Sequence, residues 1–336
     1  MYIILVDTHR KSLMPLSLTR PISHLLIGVD RIIDKWARRA DRPGVMTAAY
    51  LGGENMDPDR RNGALLVSAS VLPNEALLRE LHDLQPGQVL VKEGFALAAL
   101  WSESTSQRLQ ALMDQESNIL PADMGDAVIE SKSDAEMIRR CADIFSLNDA
   151  VLRRDFAEFA DGKKAADIGD DVHIKGDALF VGEGAVLNAC TLNTETGPIY
   201  IGRNAEVMEG ATIRGPFALG DSAVVKMGAK IYGATTIGAH CKVGGEVNNA
   251  VMHEYSNKGH DGFLGNSVIG SWCNLGADTN TSNLKNNYGT VRVWNYDTET
   301  FEDTHRQFHG LVMGDHSKTG INTMLNTGTV IGVSSN

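Results

Sequence analysis

One histidine stands in a setting that suits proton transfer. His260 lies within Lys258-Gly259-His260-Asp261-Gly262, a glycine-rich stretch. Imidazole titrates near neutral pH, so it can take a proton from an attacking amine or hydroxyl and pass it on. His260 is therefore the candidate general base; the plainer reading is a polar residue in a turn. Lys258 beside it offers a cation to an anionic group, although a solvated lysine is the commoner outcome. Near the start of the chain, Arg10 and Arg20 could hold a phosphate by charge-assisted hydrogen bonds, or be ordinary surface side chains. His240, His253, His305, His309 and His316 show no metal-ligand spacing, and no aspartate pair stands out as a magnesium site. Cys141, Cys190, Cys241 and Cys273 form no C-x-x-C pair, so zinc and disulfide frameworks are not expected and a reducing cytoplasm fits best.

The elements that must position His260 follow from a repeat. From Ile201 an aliphatic residue recurs at every sixth position through Val207, Ile213, Leu219, Val225, Ile231, Ile237 and Val243. Glycine directly follows several of them, at Gly202, Gly220, Gly238 and Gly244. The series Ile168, Ile174, Phe180, Val186, Leu192 precedes it in an offset register, and Phe263, Ile269, Leu275 and then Met313, Thr319, Leu325, Ile331 follow. A period of six matches neither an α-helix nor a continuous strand. It matches a coil of three short strands, each with one aliphatic residue pointing inward and stacking on the coils above and below. Breaks in register fall between Leu192 and Ile201, between Val243 and Phe263, and between Thr281 and Met313. Insertions in a solenoid form loops on one face and often build the binding site. Residues 282–312 read as a protruding loop with a short hairpin around Thr290-Val-Arg-Val-Trp. Its aromatics either meet a neighbour or ligand or close the loop's own small core.

Residues 1–150 have another texture. Tyr2 to Val6 reads as a buried strand, Leu25 to Arg39 as an amphipathic helix, Ala64 to Val67 and Val89 to Val91 as strands, and Asn74 to Leu84 as a helix. Strands alternating with helices predict an α/β layer. Residues 134–160 read as helical and lead into the first coil.

The chain has 336 residues and a net charge of −11, enough for two domains. An acidic surface repels phosphate backbones and anionic lipid heads, so no nucleic-acid or membrane partner is expected. No apolar run approaches the ~20 residues that span a bilayer. The N-terminal apolar stretch is too short for a signal peptide. The sequence ends on a repeat, Val333 to Asn336, and a bare solenoid end predicts a further segment in the natural protein.

Several segments together resemble a known family. They are Leu16-Ser-Leu-Thr-Arg-Pro, Gly197-Pro-Ile-Tyr-Ile-Gly, Val207-Met-Glu-Gly, Lys226-Met-Gly-Ala-Lys-Ile-Tyr-Gly, Val243-Gly-Gly-Glu-Val-Asn-Asn, Tyr255-Ser-Asn-Lys-Gly-His-Asp-Gly-Phe-Leu-Gly and Asn274-Leu-Gly-Ala-Asp-Thr-Asn. The chain resembles the GlmU family, which couples an N-terminal uridylyltransferase to a C-terminal glucosamine-1-phosphate N-acetyltransferase. It is most similar to shorter GlmU-like bacterial proteins with a reduced nucleotidyltransferase domain. The resemblance implies a fold in two parts: an α/β nucleotidyltransferase-like domain over 1–150, then, after a helical linker at 151–166, a left-handed parallel β-helix of hexapeptide repeats over 167–336, with a loop insertion at 282–312. It also implies a homotrimer with sites between neighbours.

The family's acetyltransferase motif, G-H-L-x-Y-L-G-D and then N-I-G-A-G-T, is matched in spacing by Gly259 to Asn266 and by Asn274 to Thr279. The resemblance implies that His260 is the catalytic base, that Asn274 and Asn283 lie near the donor or sugar, and that Lys226 takes the place of an arginine gripping a sugar phosphate. Backbone amides beside Ala277 would hold the thioester oxygen. Phe263 stands for a tyrosine, Asn248 for a lysine and Leu284 for a tyrosine that Asn287-Tyr288 restores four residues on. These changes predict an altered acceptor. In the front domain, Arg10, Pro15 and Leu16 match G-G-x-G-T-R-L-x-P-L, but Val6-Asp7-Thr8-His9 replaces the glycines that cradle a triphosphate.

The expected substrates are acetyl-CoA and an amino-sugar 1-phosphate, with UTP or dTTP and Mg²⁺ at the front domain. Three readings remain open. The chain reads as bifunctional, as active only in the β-helix, or as a uridylyl- or thymidylyltransferase whose β-helix is a trimerisation stalk.

Overall fold

The computed structural model describes residues 2–54, 56–61, 63–160 and 168–336. The last part of the expected linker, 161–166, lies outside them. The chain divides into two compact units, Met1–Leu25 with Asp30–Arg140, and Leu26–Val29 with Cys141–Asn336. This division differs from a cut at residue 150, because the long helix belongs to the second unit.

Up to residue 160 the strands are β1 (Ile3–Val6), β2 (Leu26–Ile27), β3 (Asp30–Arg31), β4 (Gly44–Met46), β5 (Leu65–Ser68), β6 (Gln88–Lys92), β7 (Phe95–Leu100) and β8 (Ala127–Glu130). The α-helices are α1 (Ile32–Ala37), α2 (Glu75–Asp83), α3 (Glu103–Asp114), α4 (Pro121–Met124) and α5 (Cys141–Ala160). The first unit is a mixed sheet of order β4-β1-β5-β7-β6-β8. Its parallel pairs are β1 with β4 and β5, and β6 with β8; β7 runs antiparallel to both its neighbours. Strand β1, paired on both sides, is buried at every residue, as an uninterrupted Ile-Ile-Leu-Val run should be. In α2 the N-cap Asn74 accepts the N–H of Leu77 at 2.8 Å, and Leu77 and Leu81, one turn apart, are buried.

Two helix expectations are corrected. Residues 25–39 are helical only over Ile32–Ala37. The backbone N–H groups of Leu26, Gly28 and Val29 are donated to side chains, those of His253, Asn148 and Asp155, so they are not available to a helical ladder. Residues 134–140 run beside 70–72, with Leu72 N–H donating to Glu136 O and Ile138 N–H to Ser70 O. The helix begins only at Cys141.

The second unit is a parallel β-solenoid of about 9 turns. Its three faces are sheets of eight, six and five strands. Ile201, Val207, Ile213, Leu219, Val225, Ile231, Ile237 and Val243 are all at most 1% exposed and share one core, as the six-residue period requires. The flanking registers are corrected by one residue. Val181 and Leu187 point inward rather than Phe180 and Val186, and Leu264 rather than Phe263. A one-residue slip moves a strand residue to the other face. Phe180 instead stacks outside on Tyr200, ring centroids 5.1 Å apart. In the insertion, Arg292–Asn295 and Thr300–Asp303 form the antiparallel hairpin, with Trp294 edge-on to Phe301 at 5.4 Å.

Candidate active site

His260 sits at the turn that follows the strand Asn257–Lys258. On this face of the solenoid each coil contributes one outward residue to a column. Val224 pairs with Lys242, Lys242 with Asn257, Asn257 with Asn274 and Asn274 with Lys318. Beside it runs the inward column Val225, Val243, Lys258. The outward column and the turns next to it form a groove of about 490 Å³. It is lined by Lys226, Lys242, Asn257, His260 and Asn274, with Gly259, Leu275, Gly276, Ala277 and Ile321. Two lysines and an exposed histidine meet there, and no lining residue is a carboxylate.

Of the residues singled out by sequence, the structure brings together His260, Lys226 and Asn274. Ala277 lies on the same groove. Asn248, Phe263, Asn283 and Tyr288 do not line it. Phe263 N–H donates to Asn280 Oδ1 at 2.9 Å, and Asn283 Nδ2 donates to Asn266 Oδ1 at 2.8 Å. Asn248 accepts the N–H of Asn266 through its backbone oxygen. Tyr288 is 68% exposed on the insertion.

Sequence reasoning missed one lysine and misread another. Lys242 becomes visible only once the column of outward residues is known. Lys258 is not solvated: it is 1% exposed, and its Nζ donates to His260 O at 2.8 Å and Gly244 O at 3.1 Å. Burial pushes its ammonium down to about 8, opposed by Asp261 and Asp278. The signal was its place in the break between Val243 and Phe263, where the six-residue count had been lost.

Among the other histidines, His253 is buried, with Nε2 accepting the N–H of Leu26 and Nδ1 facing Ile269 O at 2.9 Å. The acceptor role of Nε2 puts the proton on Nδ1. Burial lowers the pKa of His309, which packs edge-on against Phe145 at 5.4 Å. His240 and His316 stack at the ends of an external ladder through Tyr255 and Trp272.

The loop after β1 is filled by its own side chains. Asp7, Thr8, His9 and Arg10 are all buried, which corrects the reading of Arg10 as a surface residue. Asp7 accepts the Ile22 N–H at 3.0 Å and the Thr47 hydroxyl. Thr8 Oγ1 lies 2.7 Å from Ser68 Oγ. Arg10 Nη2 donates to Ser17 O and Tyr50 Oη, and its Nη1 is buried without a hydrogen-bond partner among the described residues. Arg20 is half-buried. The Asp7 carboxylate is thus engaged within the protein, and no group of three or more His, Cys, Asp or Glu among the described residues could hold a metal ion.

Residues 2–164 match the family described as Sugar nucleotidyl transferase. Parts of the chain are similar to GlmU proteins. The chain is 28% identical over 171 residues to the Bifunctional protein GlmU of Synechococcus elongatus, covering 49% of this chain and 33% of that protein. It is 32% identical over 87 residues to the Bifunctional protein GlmU of Methanocaldococcus jannaschii, covering 26% of this chain and 21% of that one. The chain thus spans a third or less of the length of these relatives. Among the described residues of the chain, no helix is long and apolar enough to cross a membrane.

Proposed function

We propose that the solenoid transfers an acetyl group from acetyl-CoA to the amine of an amino-sugar 1-phosphate in the His260 groove. We further propose that this step is coupled to nucleotidyl transfer in the synthesis of a UDP-N-acetylglucosamine-type sugar nucleotide. One observation carries the reading. In a chain of net charge −11, the groove gathers Lys226, Lys242 and His260 with no carboxylate in its lining. Acetyl-CoA and a sugar phosphate are both polyanions, and a local cationic groove attracts them where the rest of the surface repels them.

His260 takes the proton from the acceptor amine as its nitrogen attacks the thioester carbonyl. The tetrahedral intermediate collapses with cleavage of the C–S bond, and the departing thiolate takes the proton from the imidazolium. The backbone N–H groups on either side of Ala277 are donated elsewhere, that of Gly276 to Thr319 Oγ1 and that of Asp278 to Asp261 O, so the candidate oxyanion donor is the N–H of Ala277 itself. In the homotrimer that this reading includes, the residues off this groove (Asn248, Phe263, Asn283, Tyr288) would serve a neighbour's groove. The reaction belongs in the cytoplasm, where acetyl-CoA is made.

The match over residues 2–164 favours a second reading, a sugar-1-phosphate uridylyl- or thymidylyltransferase whose solenoid is a trimerisation scaffold. The buried, unbonded Nη1 of Arg10 is the group that would meet a phosphate. Thiol release from acetyl-CoA with glucosamine-1-phosphate, in wild type and His260→Ala, separates the two. Turnover slowed by ~10²–10⁴ in the variant supports the first reading. No thiol release with any amino-sugar phosphate, but pyrophosphate release from UTP or dTTP, supports the second.

A further inference from the structure

Lys258 occupies a place built for an aliphatic side chain. Its inward column runs Leu187, Val207, Val225, Val243 and then Lys258. Leu275 follows in the next coil, since Asn257 and Asn274 are paired one residue earlier in each strand. All these neighbours are buried and apolar. Val243 and Leu275 show that this column can be filled by hydrocarbon. A charged group in such a place is unfavourable unless its donors are satisfied, and Lys258 satisfies two of them on backbone carbonyls. Those carbonyls, His260 O and Gly244 O, belong to the corresponding turns of successive coils. The two turns are otherwise glycine-rich, Gly244-Gly245 and Gly259-His260-Asp261-Gly262, and such backbone has wide conformational freedom.

We propose that Lys258 is a positioning residue for His260: from inside the solenoid its ammonium ties the His260 carbonyl to the Gly244 turn of the preceding coil and so sets the direction of the imidazole into the groove. The proposal rests on the reading of that groove as the acetyl-transfer site. Two carboxylates, Asp261 on the same turn and Asp278 in the next coil, act on the ammonium and help to keep it charged. A catalytic base held on a loose turn loses rate steeply with small displacements, about 10²-fold for 1 Å.

The test uses the full chain with Lys258→Met, which keeps an unbranched apolar stem and removes the donors, and Lys258→Gln, which keeps an N–H donor. The first readout needs no activity. Carbethoxylation of His260 by diethyl pyrocarbonate is followed by peptide mass spectrometry, with the highly exposed His305 as internal reference. The His260 rate should change by about threefold or more in Lys258→Met, less in Lys258→Gln, with His305 unchanged. Equal His260 rates in wild type and both variants overturn the proposal, whatever the protein's activity. The second readout is steady-state acetyl transfer. A kcat lowered by about 10–100-fold with little change in KM for acetyl-CoA is expected. A change confined to KM overturns the proposal. If wild type releases no thiol while the labelling shift occurs, the acetyl-transfer reading fails and the positioning role stands. Thermal melts identify a variant that has not folded, in which case the other carries the comparison.

Discussion

Asn148, in the third turn of α5, accepts the backbone N–H of Gly28 at 2.7 Å across 120 positions of sequence. Its amide also donates to Ala234 O at 2.9 Å and Thr236 Oγ1 at 3.1 Å, and Thr236 in turn donates to Gly28 O. This fully buried network docks α5 and the segment Leu26–Val29 on the solenoid. Gly28 has φ +68°, and a Cβ there would overlap the Asp155 carboxylate and the Val151 side chain. Gly28→Ala should therefore destabilise the second unit by at least ~2 kcal/mol. Asn148→Ala, which strands buried polar groups, should cost about 2–4 kcal/mol. Urea midpoints of the two variants check this; unchanged midpoints would refute the docking role.

Asp7 predicts a pH dependence in the first unit. Burial raises its pKa from 3.8 to about 6, against the opposing effects of Thr47, Ile22 and Arg10. The raised value means that the folded state binds the proton more tightly than the unfolded state. Between pH 4 and 6 the unfolded carboxyl is ionised while the folded one remains protonated, so this group's contribution falls as pH rises through that window. Above pH 6 the deficit is complete, at roughly 3 kcal/mol. Asp7→Asn should be more stable than wild type at pH 7 by ~1–3 kcal/mol, less than the full deficit because the Arg10 attraction is lost. Below pH 4 the two should converge. Melting curves over pH 3.5–8 decide; a gap that widens as pH falls would contradict the assignment.

The groove lysines predict salt-sensitive binding. Lys226→Ala and Lys242→Ala should each raise the KM or Kd for the phosphorylated substrate by about tenfold, the size of one lost charge-assisted hydrogen bond. Wild-type affinity should weaken as NaCl rises from 50 to 500 mM, and the double variant should lose most of that slope. Titration calorimetry with acetyl-CoA and with glucosamine-1-phosphate assigns each lysine to one ligand. Affinities unaffected by either substitution would remove the groove as the anion site.

The buried histidine makes a further demand. His253 accepts the Leu26 N–H through Nε2 and faces Ile269 O through Nδ1. His253→Leu fills the space but leaves the Leu26 N–H unpaired, and should cost about 1–3 kcal/mol. His253→Gln can supply an acceptor and should recover part of that loss in the same denaturation assay.

Much of this protein is legible from spacing alone. Eight aliphatic residues six apart, from Ile201 to Val243, can bury one face only by stacking coils, so the solenoid, its inward columns and the groove-forming turns follow from the repeat. The strands β1, β5 and β6 are legible for a similar reason: short, uninterrupted apolar runs have few other places to go. Local pattern failed where long-range partners took over the backbone. Leu25 to Arg39 has the apolar spacing of a helix, but the N–H groups of Leu26, Gly28 and Val29 are held by His253, Asn148 and Asp155, residues more than a hundred positions away. At Phe180 and Phe263, coils that are not multiples of six moved the inward position by one residue, which only strand pairing could reveal.

The sequence by itself thus determined the repeat, the α/β front and the histidine in its glycine-rich turn, because each depends on residues near one another in the chain. Only the tertiary structure decided that Lys226, Lys242 and Asn274 join His260 on one groove, since they come from successive coils. It also decided that Arg10 and Lys258 are buried. A charge is drawn inside a protein only when distant groups are there to pair with it, and for Lys258 those groups are the backbone carbonyls of two neighbouring turns.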